Sequence, residues 1–134
     1  MLEIHPPPRL GTFVEYETWT IRPGLEDQHH EMIRTWFNFV RENQESMFAE
    51  WKSIRYYRQV DRDGTPVGRY IMLFEFHTQE GHHAYKERRK DYSGPYEAYG
   101  EIDPYQFFIV ESVTTDYWEP QETHLWAEFA PPEE

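Results

Sequence analysis

No cysteine occurs anywhere in the 134 residues, which removes disulfides, thiolate metal sites and cysteine nucleophiles together. Basic side chains are missing from the last third: no Lys or Arg follows Lys90, while residues 91–134 hold 11 acidic ones. Residues 1–90 are nearly balanced at 14 acidic against 13 basic, so the formal net charge of −12 resides almost wholly in the C-terminal part. A chain this acidic is repelled by phosphate backbones and anionic bilayers, so neither nucleic acid nor a membrane is expected as a partner. Long apolar runs are absent as well. The longest, Tyr70-Ile71-Met72-Leu73-Phe74, is far short of the roughly 20 residues of a membrane helix. No apolar secretory segment follows Met1, and a cytoplasmic location is the expectation. Glycine is scarce, with 7 residues and no cluster, which leaves no phosphate-cradling loop.

What the chain has in quantity is aromatic side chains: 5 Trp, 10 Tyr and 9 Phe. One domain of this length can bury a core of that kind. The proline cluster Pro6-Pro7-Pro8 marks residues 1–11 as an extended lead-in. Thr12 to Arg22 is rich in β-branched and aromatic residues and stops at Pro23-Gly24, which predicts a first strand. From Leu25 to Asn43 the apolar residues Leu25, Met32, Ile33, Trp36, Phe37 and Val40 recur at three- and four-residue steps, with Glu26 and Asp27 at the start. That pattern is an amphipathic helix. Trp51 to Val60 and Arg69 to Phe76 read as a hairpin about Asp61-Arg62-Asp63-Gly64-Thr65-Pro66. Thr78 is placed to cap a second helix from Gln79 to Tyr92, ended by Ser93-Gly94-Pro95, and Tyr105 to Tyr117 reads as a fourth strand.

The order β-α-β-β-α-β is the ferredoxin-like α+β motif, with both helices on one face of an antiparallel four-stranded sheet. Its other face is not polar. Tyr70, Met72, Phe74 and Phe76 alternate with Ile71 and Leu73, and Phe107, Ile109 and Val113 alternate with Phe108 and Val110. A sheet apolar on both faces needs a second cover, and another copy of the chain supplies one, so a homodimer is expected. Residues 12–118 form the domain, and residues 119–134 an acidic arm containing Leu125, Trp126 and Phe129. Three such side chains at helical spacing suit an ordered arm, folded across this subunit or its partner with Glu122 and Glu128 near basic residues. The basic run Lys86, Arg88, Arg89 and Lys90 is the contrasting patch.

The segment Val14-Glu15-Tyr16-Glu17-Thr18-Trp19-Thr20-Ile21-Arg22-Pro23-Gly24, followed by an amphipathic helix, resembles the opening of NIPSNAP-type domains. More broadly it is similar to the dimeric α/β-barrel superfamily that includes the antibiotic-biosynthesis monooxygenases. The resemblance implies a homodimer with a ligand cleft in each subunit between sheet and helices. It leaves the reaction open among cofactor-free oxygenation, isomerisation, haem binding and no chemistry at all.

Candidate chemistry concentrates on strand ends. Glu15 and Glu17 share a face of the first strand with Trp19 and Ile21, Glu75 and His77 share one of the third with Ile71 and Leu73, and Glu111 belongs to the fourth. If those faces coincide, His77, Glu75, Glu17 and Glu15 form a catalytic cluster, because crowded carboxylates beside an imidazole exchange protons near neutral pH. The alternative is pairing with Arg55, Arg58 or Arg69. Trp36, Phe37, Tyr85 and His82 are the candidate ligand-binding residues, suited to a flat aromatic or apolar small molecule if they are not simply core. The adjacent pairs His29-His30 and His82-His83 point about 100° apart on a helix, so neither chelates one metal as a unit. No cofactor and no metal is expected. His77 with His82 or His83 and a carboxylate is the metal alternative, and a haem ligand from the second helix is the alternative the resemblance implies. The function expected is a small-molecule-binding protein of the cofactor-independent monooxygenase or isomerase type, acting on an aromatic or polyketide-like compound. A non-catalytic dimeric ligand-binding or assembly module is the other reading.

Overall fold

A computed structural model describes residues 12–90, 102, 104–121, 125 and 127–132. The lead-in, the break at Ser93-Gly94-Pro95, and Tyr92, Glu122 and Trp126 lie outside those residues. The elements are β1 (Phe13–Thr20), α1 (Glu26–Glu42), the one-turn α2 (Gln44–Met47), β2 (Trp51–Val60), β3 (Pro66–Phe76), α3 (Gln79–Arg89) and β4 (Thr114–Trp118). They make one antiparallel sheet of order β2-β3-β1-β4, the ferredoxin-like arrangement.

Two features differ from the sequence reading. The short α2 was not anticipated. The fourth strand starts at Thr114 rather than Tyr105, because residues 104–107 and 110–112 are 3-10 turns. That irregular segment still follows β1: Ile109 N–H donates to Thr20 O at 2.9 Å and Arg22 N–H to Phe107 O at 2.9 Å. Ser112 Oγ takes over a backbone role by accepting from Thr20 N–H at 2.8 Å. Side-chain bonding of this kind competes with a ladder, so β-forming composition alone does not make a strand there. Glu111 consequently sits in an exposed turn.

The turns and caps are those the residues dictate. Asp61 Oδ1 accepts from Asp63 N–H and Thr65 N–H, and Gly64 adopts φ +88°, a left-handed conformation that side chains disfavour. Thr78 Oγ1 accepts from Gly81 N–H at 2.9 Å, which caps α3.

Core packing is aromatic throughout. Trp19 stacks on Phe108 at 4.6 Å, Phe48 on Trp51 at 4.5 Å, and Tyr56 on Tyr70 at 5.7 Å. His29 on α1 is fully buried among these rings. Its Nε2 accepts from Trp19 Nε1–H at 3.2 Å and its Nδ1 meets the Tyr56 hydroxyl at 3.3 Å. On the opposite face of the sheet, Val14, Tyr16, Ile71 and Leu73 stay half-exposed, and Tyr57 and Trp118 are exposed. Leu125 and Phe129 are exposed in the single chain, at 66% and 86%. No helix among the described residues is long and apolar enough to cross a membrane.

Burial holds the His29 imidazole down to about pKa 4, the neighbouring His30 adding to the effect. The unfolded chain protonates that imidazole near pH 6.5, whereas the native chain refuses the proton until about pH 4. Its contribution to stability is therefore complete above pH 6.5 and disappears as pH falls. Urea unfolding at pH 7.5, 6 and 4 should show a loss to which this residue contributes on the order of 3 kcal/mol by pH 4. His29→Asn should flatten the profile over that interval.

Candidate functional site

Alternation along β1 puts Phe13, Glu15, Glu17, Trp19 and Ile21 on the face covered by the helices. Two carboxylates thus enter an otherwise apolar surface. Glu15 is buried, and a buried carboxylate requires compensation. The compensation comes from α3, where His82 and Lys86 are four residues apart and share one face. His82 Nε2 lies 3.0 Å from Glu15 Oε1, and Lys86 Nζ lies 3.0 Å from Oε1 and 3.2 Å from Oε2. His82 is itself buried. Desolvation holds its imidazole below the usual range despite the Glu15 carboxylate, so the ring is neutral at pH 7 and donates its Nε2 proton to Glu15. Its Nδ1 has no hydrogen-bond partner among the described residues.

Two residues along, Glu17 is held differently. The Tyr105 hydroxyl lies 3.0 Å from each of its carboxylate oxygens and donates to that pair. Burial first, and the Glu15 charge after it, push the Glu17 carboxyl above its ordinary range, against the lowering pull of Tyr105, Lys86 and Arg89. Rings surround His82: Phe13 at 4.7 Å, Phe76 at 4.7 Å and Tyr117 at 5.3 Å from its ring. Desolvation and the Glu15 charge also raise the Tyr117 hydroxyl. The arrangement places one carboxylate, paired with His82 and Lys86, beside a second whose proton affinity is increased.

The structure therefore brings together Glu15, Glu17 and His82 of the residues read from sequence. It does not bring in Glu75 or His77. Glu75 pairs across from Val14 and Ser53 on the opposite face, where it accepts from Ser53 Oγ at 2.9 Å. His77 is exposed in the turn between β3 and α3. Trp36 and Tyr85 lie in the core, Trp36 5.9 Å and Tyr85 5.2 Å from the Trp51 ring. Phe37 lines a groove at the other edge of the fold, between α1 and β2. Lys86 and Tyr105 belong to the site without having been read from sequence. The spacing of His82 and Lys86 was the available signal for the first; the second comes from a segment read as strand. No group of three His, Asp or Glu side chains among the described residues could hold a metal ion.

No family model matches the chain, and no curated protein matches it in sequence. Solved structures do. The chain is similar to a NIPSNAP family protein from Agrobacterium tumefaciens at TM-score 0.58 and 13% identity, over 91% of this chain and 93% of that one. It is similar to a Bordetella bronchiseptica protein assigned as an antibiotic biosynthesis monooxygenase at TM-score 0.56 and 12% identity, over 84% and 99%. It is also similar to a dimeric protein of unknown function and ferredoxin-like fold from Bacteroides fragilis at TM-score 0.52 and 13% identity, over 81% and 96%. At such identities the likeness is one of fold: the chain shares the ferredoxin-like α+β fold of these proteins.

Proposed function

We propose that the chain is a small-molecule-binding protein that works as a homodimeric α/β barrel and moves protons at Glu17, in the manner of a cofactor-independent monooxygenase or isomerase. The observation that carries this reading is the pairing of two unlike carboxylates on one strand. Glu15 is neutralised by Lys86 and hydrogen-bonded by His82; Glu17 is raised by burial and by Glu15. A carboxyl moved toward working pH is the better acid–base group, and proton transfer by a placed carboxylate is worth roughly 10²- to 10⁴-fold in rate. The aromatic surroundings favour a flat, apolar substrate with an acidic C–H or O–H, such as an aromatic or polyketide-like compound. Glu17 takes that proton. Returned at a different carbon, the proton completes an isomerisation; where the carbon bears a second hydrogen, the carbanion instead adds to dioxygen as co-substrate, the peroxide takes the proton back from Glu17, and loss of water breaks the O–O bond and leaves a ketone.

Dimerisation is supported by the uncovered sheet face with exposed Tyr57 and Trp118, larger than singly scattered apolar residues, and by the similar Bacteroides fragilis protein described as dimeric. A second reading, a non-catalytic binding or assembly module, is favoured by one fact: both Glu15 oxygens are satisfied within the fold.

Deuterium exchange separates the two. The full chain is incubated in D2O with a panel of 1,3-diketones and naphthols, and exchange at the acidic carbon is followed by mass spectrometry. Acceleration of at least one panel member is expected, with Glu17→Gln slowing it about 100-fold and the exposed-residue control Glu45→Gln leaving it unchanged. Exchange that no panel member shows, or that Glu17→Gln leaves intact, favours the non-catalytic module.

A further inference from the structure

A groove of about 530 Å³ runs between α1 and the edge strand β2, within the size range of small-molecule sites. The sheet order puts β2 at one edge and β4 at the other, so this groove is separate from the Glu15–Glu17 site. Ile33, Phe37 and Ile54 give it an apolar floor. Its polar wall is basic, with Arg34 and Arg41 from α1 and Arg55 from β2, and no carboxylate lines it.

The cations differ in how they are already engaged. Arg34 pairs with Glu31 at 3.0 Å. Arg41 meets only neutral groups, the Asn38 amide oxygen at 3.2 Å and the Phe37 ring at 5.5 Å. Arg55 makes no ion pair or hydrogen bond among the described residues. A further donor is set by the core. Trp19 Nε1–H donates to His29 Nε2, so the neutral His29 carries its proton on Nδ1 and donates it to the Tyr56 oxygen. The Tyr56 hydroxyl then donates to His30 Nδ1 at 3.3 Å. His30, which lines the groove, is left with its proton on Nε2. A partly buried chain of three hydrogen bonds thus fixes a donor on the α1 wall of the groove, about three helical turns from Arg41, whose guanidinium no carboxylate neutralises.

We propose that this groove binds an apolar organic carboxylate, its ring or alkyl body on Phe37, Ile33 and Ile54 and its carboxylate held by Arg41, with Arg55 adding to the positive charge of the groove. Guanidinium groups match a carboxylate in geometry as well as charge. An apolar floor beside them selects an anion with a hydrophobic body over inorganic anions.

The test is calorimetric titration of the full chain with 2-naphthoate, decanoate and the neutral 2-naphthylmethanol, with amide NMR shifts to map the site. At least one carboxylate should bind ten or more times tighter than the alcohol, with shifts confined to α1 and β2; the better of the two tells whether the body is a ring or a chain. Arg41→Gln/Arg55→Gln should weaken the carboxylate tenfold or more while the alcohol is unaffected, and Phe37→Ala should weaken both. Glu17→Gln should bind as the parent does, which keeps this site distinguishable from the acid–base reading. Equal binding of alcohol and carboxylates, unchanged binding by the folded double arginine variant, or shifts centred on His82 would overturn the proposal. So would displacement of bound 2-naphthoate by a synthetic peptide of residues 119–132 that binds more tightly, since the groove would then take the acidic segment of the chain itself.

Discussion

A carboxylate buried on the central strand is the constraint around which this fold is organised. Glu15 faces the helices from β1, where solvent is excluded, and an isolated ion in such a place is strongly unfavourable. The fold tolerates it because α3 delivers His82 and Lys86 to the same oxygens. Removal of one partner from a buried pair costs on the order of 3–5 kcal/mol, so the position and rotation of α3 are tied to this contact. The helix start is set independently by the Thr78 cap, four residues before His82. Local and long-range preferences therefore agree on where α3 lies, a consistency that favours a single native arrangement.

Much of this was legible from the residues. The turn at Pro23-Gly24 after β1, the hairpin about Asp61 and Gly64, and the Thr78 cap each follow from local chemistry that operates whatever the tertiary setting. The 3.6-residue stripe through Ile33, Trp36 and Val40 becomes the buried side of α1. Alternation correctly grouped Glu15 with Glu17 and Glu75 with Ile71 and Leu73. It could not tell which face of each strand the helices cover, and that choice separates the two acidic groups. The segment from Tyr105 was misread for a different reason. Its β-forming residues are real, but Ser112 replaces backbone partners of β1 with a side-chain oxygen and leaves turns where a longer strand was expected. The Glu15–His82 contact, 67 residues apart in the chain, has no local signature at all.

Polar function is distributed unevenly over the helix layer. Toward β4 the fold encloses carboxylates among rings, with cations only at their margin. Toward β2 it exposes guanidinium groups beside apolar side chains, backed by the Trp19–His29–Tyr56–His30 chain of hydrogen bonds. Both regions use the aromatic core in the same way: rings exclude water, and what polar groups remain near them act at low dielectric and strengthen one another. The opposite face of the sheet carries neither arrangement and is the surface available to a second copy.

Glu17 is a perturbed acid, raised first by burial and then by the Glu15 carboxylate two residues away. Carbon-detected NMR titration of the glutamate side-chain carboxyls reads this directly. The account predicts that Glu17 titrates above the ordinary glutamate range and moves part of the way down in Glu15→Gln, where burial remains but the neighbouring charge is gone. A Glu17 that titrates as an ordinary surface glutamate, or that is indifferent to Glu15→Gln in a folded protein, would contradict it.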